Sequence, residues 1–371
     1  AIIFLPFVSI SQTNYELYYL EVNNGGHGTV SGEGWYDSGT SAIFSLDPTT
    51  IYEEVGKRYV FTYWSGNSTS TNPSGNILMN EPKIVTANWK TQYQVTFGEA
   101  GLDSAATGTV VTVDGSAKTS SDLPFSKWVD SGSSVTYTYA DLVTSSVSGS
   151  RFKLSSVTGP VSPITISGAT SVTASYTTQY YLNVVSPQGT SGGAAWYDSG
   201  ATAHATLTQS IVDASSGVRY VFVGWSGDAS GAALTSNPIT VNRSMSAVAS
   251  WKKQFLVVFN QTGLPDGFEA NITLNSVTQT LPYSIWIDEG ASVQFAYNDK
   301  LPTGFGRQYV LTSTSNKSPL NVESPITVTA QYTLQYTIEM YSAIAIPAVL
   351  SVLAIGIVLL KRRKRPDLNS S

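Results

Sequence analysis

The chain has 371 residues with a net charge of −5, and only 12% of them are charged. Its 42% hydrophobic content is too high for a disordered chain, and the lack of cysteine excludes disulfides and thiolate metal sites. Residues 361–371 hold five basic side chains and one acid, so the rest carries about −9, an acidic body that argues against nucleic-acid binding.

Residues 1–11 form an apolar run ending in Ser9-Ile10-Ser11, with no initiator Met and no basic flank. They read as the remnant of a signal peptide cleaved after Ser11; the competing reading is a closing strand of an upstream module. Residues 18–92 form a first module, type A. Short apolar and aromatic runs, such as Tyr18 to Val22, Ala42 to Leu46, Tyr59 to Trp64 and Ile84 to Trp89, are separated by Gly, Ser, Asn and Pro. That pattern predicts strands joined by turns. Residues 93–179 form a different module, type B, in which Val135, Tyr137 and Tyr139 alternate with Thr136 and Thr138 as a half-buried strand would.

Residues 180–254 repeat type A and residues 255–335 repeat type B. Trp35, Trp64 and Trp89 recur as Trp196, Trp225 and Trp251, an offset of about 161 residues. The joints Gln92-Tyr93, Gln179-Tyr180, Gln254-Phe255 and Gln335-Tyr336 carry no flexible linker, which predicts a semi-rigid array. The fold expected is all-β: tandem small antiparallel β-sandwich-like modules in the order A-B-A-B, followed by one transmembrane helix. Four modules of about 35 Å each would reach on the order of 140 Å.

Residues 341–360 are uncharged and long enough to span a bilayer. Pro347 falls in the first turns of that span, where its missing N–H costs least. Lys361, Arg362, Arg363, Lys364 and Arg365 follow, and the positive-inside rule places residues 361–371 in the cytoplasm and the modules outside.

The Tyr-Val-Phe-x-x-Trp-Ser-Gly run of the A modules, with Asn237-Pro238-Ile239-Thr240-Val241 and the closing Ala249-Ser250-Trp251, resembles the divergent B-repeat of internalin-type surface proteins. The resemblance implies small β-rich spacer modules of bacterial or archaeal cell surfaces. In the first copy Tyr63 stands for Gly224 and Asn67 for Asp228, which puts any role of that Asp in question there. The A-B alternation ending in one anchor is similar to large archaeal surface proteins. The Gly263 to Gly267 turn resembles β modules that trail secreted proteases of the thermopsin type.

No catalytic constellation can be assembled. His27 and His204 do not occupy equivalent positions, and Gly224-Trp225-Ser226-Gly227-Asp228 does not fit a nucleophile elbow. Asp37, Asp130, Asp198 and Asp288 sit in Asp-Ser-Gly or Asp-Glu-Gly turns, where the side chain is expected to bond the local backbone rather than a metal. No cofactor is expected. The recurring tryptophans read mainly as core, with Trp35 and Trp196, beside turns, as the exposed pair that could contact glycans. Sequons at Asn67, Asn242, Asn260, Asn271 and Asn316 are candidate N-glycosylation sites.

The function expected is that of a membrane-anchored extracellular stalk, spacer or adhesive module, not an enzyme. The alternatives are an adhesin for cell-surface glycans or proteins that uses exposed aromatics, and the anchoring end of a larger secreted hydrolase.

Overall fold

The computed structural model describes residues 2–3, 15–304 and 306–363. Most of the leader segment 1–11, together with Lys364 and Arg365, lies outside the described residues. The described residues are almost entirely β, with one 3-10 turn at Ser120–Asp122 and one C-terminal helix, and the chain divides into two compact units. The first comprises Ala1–Tyr181, Trp196–Ala201 and Val241–Ser244; the second comprises Leu182–Ala195, Thr202–Thr240 and Met245–Ser371.

In the first unit the strands that matter are β1 (Leu17–Asn23), β2 (Gly34–Asp37), β3 (Ser41–Asp47), β4 (Lys57–Gly66), β5 (Lys83–Ala100), β6 (Phe125–Asp130), β7 (Tyr137–Tyr139), β8 (Ser150–Thr158) and, as far as Tyr181, β9 (Thr170–Val185). The centre is β5. Its 18 residues run without a break from the closing strand of the first A module into the opening strand of the first B module. Its first half pairs antiparallel with β4 and parallel with β1; its second half pairs antiparallel with β6 and parallel with β9. Alternate side chains of a strand share a face. Val85 and Ala87 accordingly enter one core, and Val95 and Phe97 enter the next.

Each core lies between two sheets. In the A module Leu20, Val22, Trp64, Val85 and Ala87 of the large sheet meet Ala42, Phe44 and Leu46 of a small three-stranded sheet. In the B module Phe97, Phe152, Val172 and Tyr176 meet Val111, Val113 and Tyr139. The expected sandwich-like modules are thus present. The parallel pairing of a module's opening and closing strands adds to the antiparallel pattern. That pairing follows from connections long enough to return the chain to the same end of the sheet.

In the second unit β10 (Val218–Gly227), β11 (Met245–Thr262), β12 (Tyr283–Asp288), β13 (Arg307–Thr314) and β14 (Ile326–Tyr336) repeat the plan. β11 is again 18 residues long and pairs antiparallel with β10 and β12 and parallel with β14. A bulge falls between Phe61 and Tyr63 in β4 and between Phe222 and Gly224 in β10, at matching positions.

The Trp-Ser-Gly run explains itself in both copies. Trp64 and Trp225 are buried, and their indole N–H groups donate to the carbonyls of Asn72 and Ala233, each at 3.1 Å. Gly66 and Gly227 have φ of +91° and +78°, and a Cβ at either would run into a carbonyl of the neighbouring strand. The Asn67 side-chain oxygen accepts from the Ile84 N–H at 2.7 Å, and that of Asp228 from the Ser246 N–H at 2.8 Å. The exchange of Asp for Asn in the first copy therefore keeps the same backbone cap.

The helix α1 (Ile338–Arg363) begins before the apolar stretch, so Pro347 falls in its third turn. The Ser351 hydroxyl donates to the Pro347 carbonyl at 2.6 Å. Ala345–Arg363 is long and apolar enough to cross a membrane.

Candidate functional site

The described residues contain no group of three or more His, Asp or Glu placed to hold a metal. His27 stacks on Tyr59 with ring centroids 3.7 Å apart, and His204 Nδ1 lies 2.9 Å from the Ser236 carbonyl. What recurs instead is a polar constellation spread over three adjacent strands.

In β4, Arg58 stands opposite Gln92 of β5; on the other side Gln92 stands opposite Asp130 of β6. Arg58 Nε donates to Gln92 Oε1 at 2.8 Å, and Gln92 Nε2 donates to Asp130 Oδ1 at 2.6 Å. Trp128 lies two residues before Asp130 and so on the same face, and the Arg58 guanidinium stacks over its ring at 4.5 Å.

A second set in the first unit has the same order. Arg151 Nε donates to Gln179 at 2.8 Å, Gln179 Nε2 donates to Asp198 at 2.8 Å, and the Arg151 guanidinium lies 4.4 Å over Trp196. The second unit holds a third. Arg219 donates to Gln254 at 2.8 Å, Gln254 to Asp288 at 2.7 Å, and Arg219 lies 4.3 Å over Trp286.

The chemistry of the set is self-consistent. Gln92 and Gln179 are buried, and a buried amide must have partners. Each glutamine accepts from a guanidinium with its oxygen and donates to a carboxylate with its nitrogen, so both ends are satisfied. Arginine suits the third position because its flat cation both stacks on indole and donates in plane. The Gln92 amide, helped by Lys90 at 3.1 Å, holds the Asp130 carboxyl below the usual aspartate range. Gln254 and Lys252 do the same for Asp288.

These aspartates correct the expectation of local turn caps. The turns after them are closed by backbone bonds, such as Ser133 N–H to the Asp130 carbonyl at 3.1 Å and Ala291 N–H to the Asp288 carbonyl at 3.0 Å. The carboxylates of Asp130, Asp198 and Asp288 instead accept across the strand.

Trp196 is also not the exposed platform expected, because Arg151 covers it and Tyr181 packs against it at 5.4 Å. Trp35 is 67% exposed. It meets the edge of Tyr19 at 5.2 Å, and the Tyr19 hydroxyl donates to Glu33 at 2.6 Å, which raises the phenol above its ordinary pKa. Of the sequons, Asn67, Asn242 and Asn271 are exposed, while Asn260 and Asn316 are half-buried.

The arginines were the part that the sequence reading missed. Their signal is Gly-x-Arg-aromatic, in Gly56 to Tyr59, Gly149 to Phe152 and Gly217 to Tyr220. The last module reads Gly306-Arg307-Gln308-Tyr309, with Gln308 at the arginine position opposite Gln335.

No curated protein matches the chain. A family model described as the divergent InlB B-repeat domain matches residues 18–93 and 183–255. The two A segments thus match the divergent InlB B-repeat, a module that suggests a cell-surface repeat protein.

Proposed function

We propose that this chain is a membrane-anchored extracellular spacer, held by α1 with the modules outside and the basic tail in the cytoplasm. The observation that carries the reading is the clamp at Gln92 and Gln254. It lies midway along strands that pass unbroken from an A module into a B module. A joint made of a strand paired on both flanks, with a guanidinium laid over the next module's tryptophan, resists bending as a loop linker would not. B-repeats fit the same role. The apolar helix and the basic residues after it support the orientation.

Small-angle X-ray scattering on residues 12–338 tests the spacer. The expected profile is that of a rod with a maximum dimension well above about 100 Å, as four modules in line would give. A compact particle would overturn the reading.

A further inference from the structure

Three clamps in this chain are complete, and a fourth is half built. Trp35 and Asp37 stand in β2 with the spacing of Trp128 and Asp130, Trp196 and Asp198, and Trp286 and Asp288. The register is also the same. Asp37 lies opposite Leu17, as Asp130 lies opposite Gln92 and Asp288 opposite Gln254. Leu17 has no side-chain amide to offer, and among the described residues no guanidinium stands over Trp35. Trp35 is accordingly 67% exposed, whereas Trp128, Trp196 and Trp286 are half-buried. Glu33, which accepts from the Tyr19 hydroxyl at 2.6 Å, adds further negative charge on the same side.

We infer that the Trp35–Asp37 face is a docking site for the donor end of another type B module like residues 93–179, one that presents an arginine to the indole and an amide or guanidinium N–H to the carboxylate. The chain itself shows what such a face takes, because the same pair is covered by arginine and glutamine in three other places. Charge complementarity points the same way: an acidic rim around an indole favours a flat cation. The type B module of residues 255–335 in a second copy does not fit, since it carries Gln308 where the donor needs arginine. The inference does not depend on the spacer reading, because its test reads one tryptophan and not the length of the particle.

The experiment is hydroxyl-radical footprinting of the full-length chain in nanodiscs, with oxidation of each tryptophan read by mass spectrometry. One variant carries a copy of residues 93–179 inserted between Leu17 and Tyr18, so that the graft's own arginine and glutamine reach the face. Trp35 oxidation is expected to fall to the rate of Trp196, and Arg→Ala in the graft is expected to restore it. Protection that survives loss of the graft's arginine overturns the proposed chemistry. An unchanged Trp35 rate overturns the docking. So does protection of Trp35 by cellohexaose in the unextended chain where the graft gives none, which would assign the face to sugar.

Should the graft not fold, Arg151→Ala in the natural chain decides the matter. Trp196 is expected to become as reactive as Trp35 while Trp64 stays protected. If Trp196 stays protected, arginine is not what these faces accept, and the proposal fails.

Discussion

The aspartates of the clamps carry a pH dependence whose sign is fixed by their partners. Asp130 and Asp288 have folded-state pKa values held below the unfolded value of about 3.9. Their stabilisation is therefore complete above that value and is lost as pH falls through the depressed folded-state pKa. The thermal midpoint should drop as pH falls below about 4, and Asp288→Asn should make that drop shallower. An equally steep drop in the variant would mean that the Gln254 bond does not reach the folding equilibrium. The tryptophan and aspartate of each clamp were visible in the sequence as a recurring Trp-x-Asp, and the glutamine as a recurring residue at the joints. Their connection was not visible. It depends on which residue of a neighbouring strand stands opposite, and cross-strand register is written in no single segment. Trp196 was read as exposed for the same reason: the arginine that covers it lies 45 positions upstream.

At the scale of the element, the strand ends after Trp-Ser-Gly show why two glycines are fixed in place. Gly227 has φ +78°, and a Cβ there would sit 2.5 Å from the Ser246 carbonyl. Gly227→Ala should destabilise its unit by more than about 1 kcal/mol, since it adds both backbone strain and a collision. Denaturant unfolding measures this, and Gly290→Ala is the control, because its positive φ brings strain without any neighbour within 4 Å. Element identity was largely legible, because alternation of apolar and polar residues and Gly-rich turns are local signals. The parallel pairs β1 with β5 and β5 with β9 were not. They join residues 63 to 75 positions apart along the chain, and no local pattern announces them.

For the whole molecule, the all-β repeat and the single apolar helix were both apparent from composition and periodicity. The helix start was not, since α1 begins at Ile338, ahead of the apolar run. If α1 anchors the chain, one charge at its centre should weaken insertion by about 3 kcal/mol. Leu353→Arg should thus move a measurable fraction of the protein from carbonate-resistant membranes into the soluble fraction. Full retention in the pellet would argue that something other than α1 holds the chain to the membrane.

The unbroken strands β5 and β11 also bear on how long such a protein lasts outside a cell. Proteases cut where backbone is exposed and unpaired, and between most tandem domains that place is the linker. At Gln92 and Gln254 there is no such place, because the peptide bonds that leave one module already lie in the sheet of the next. Limited proteolysis should therefore nick first at tips inside modules, such as residues 67–73 and 228–237, and spare both joints. A surface protein built this way would be frayed at its loops before it was cut at either joint.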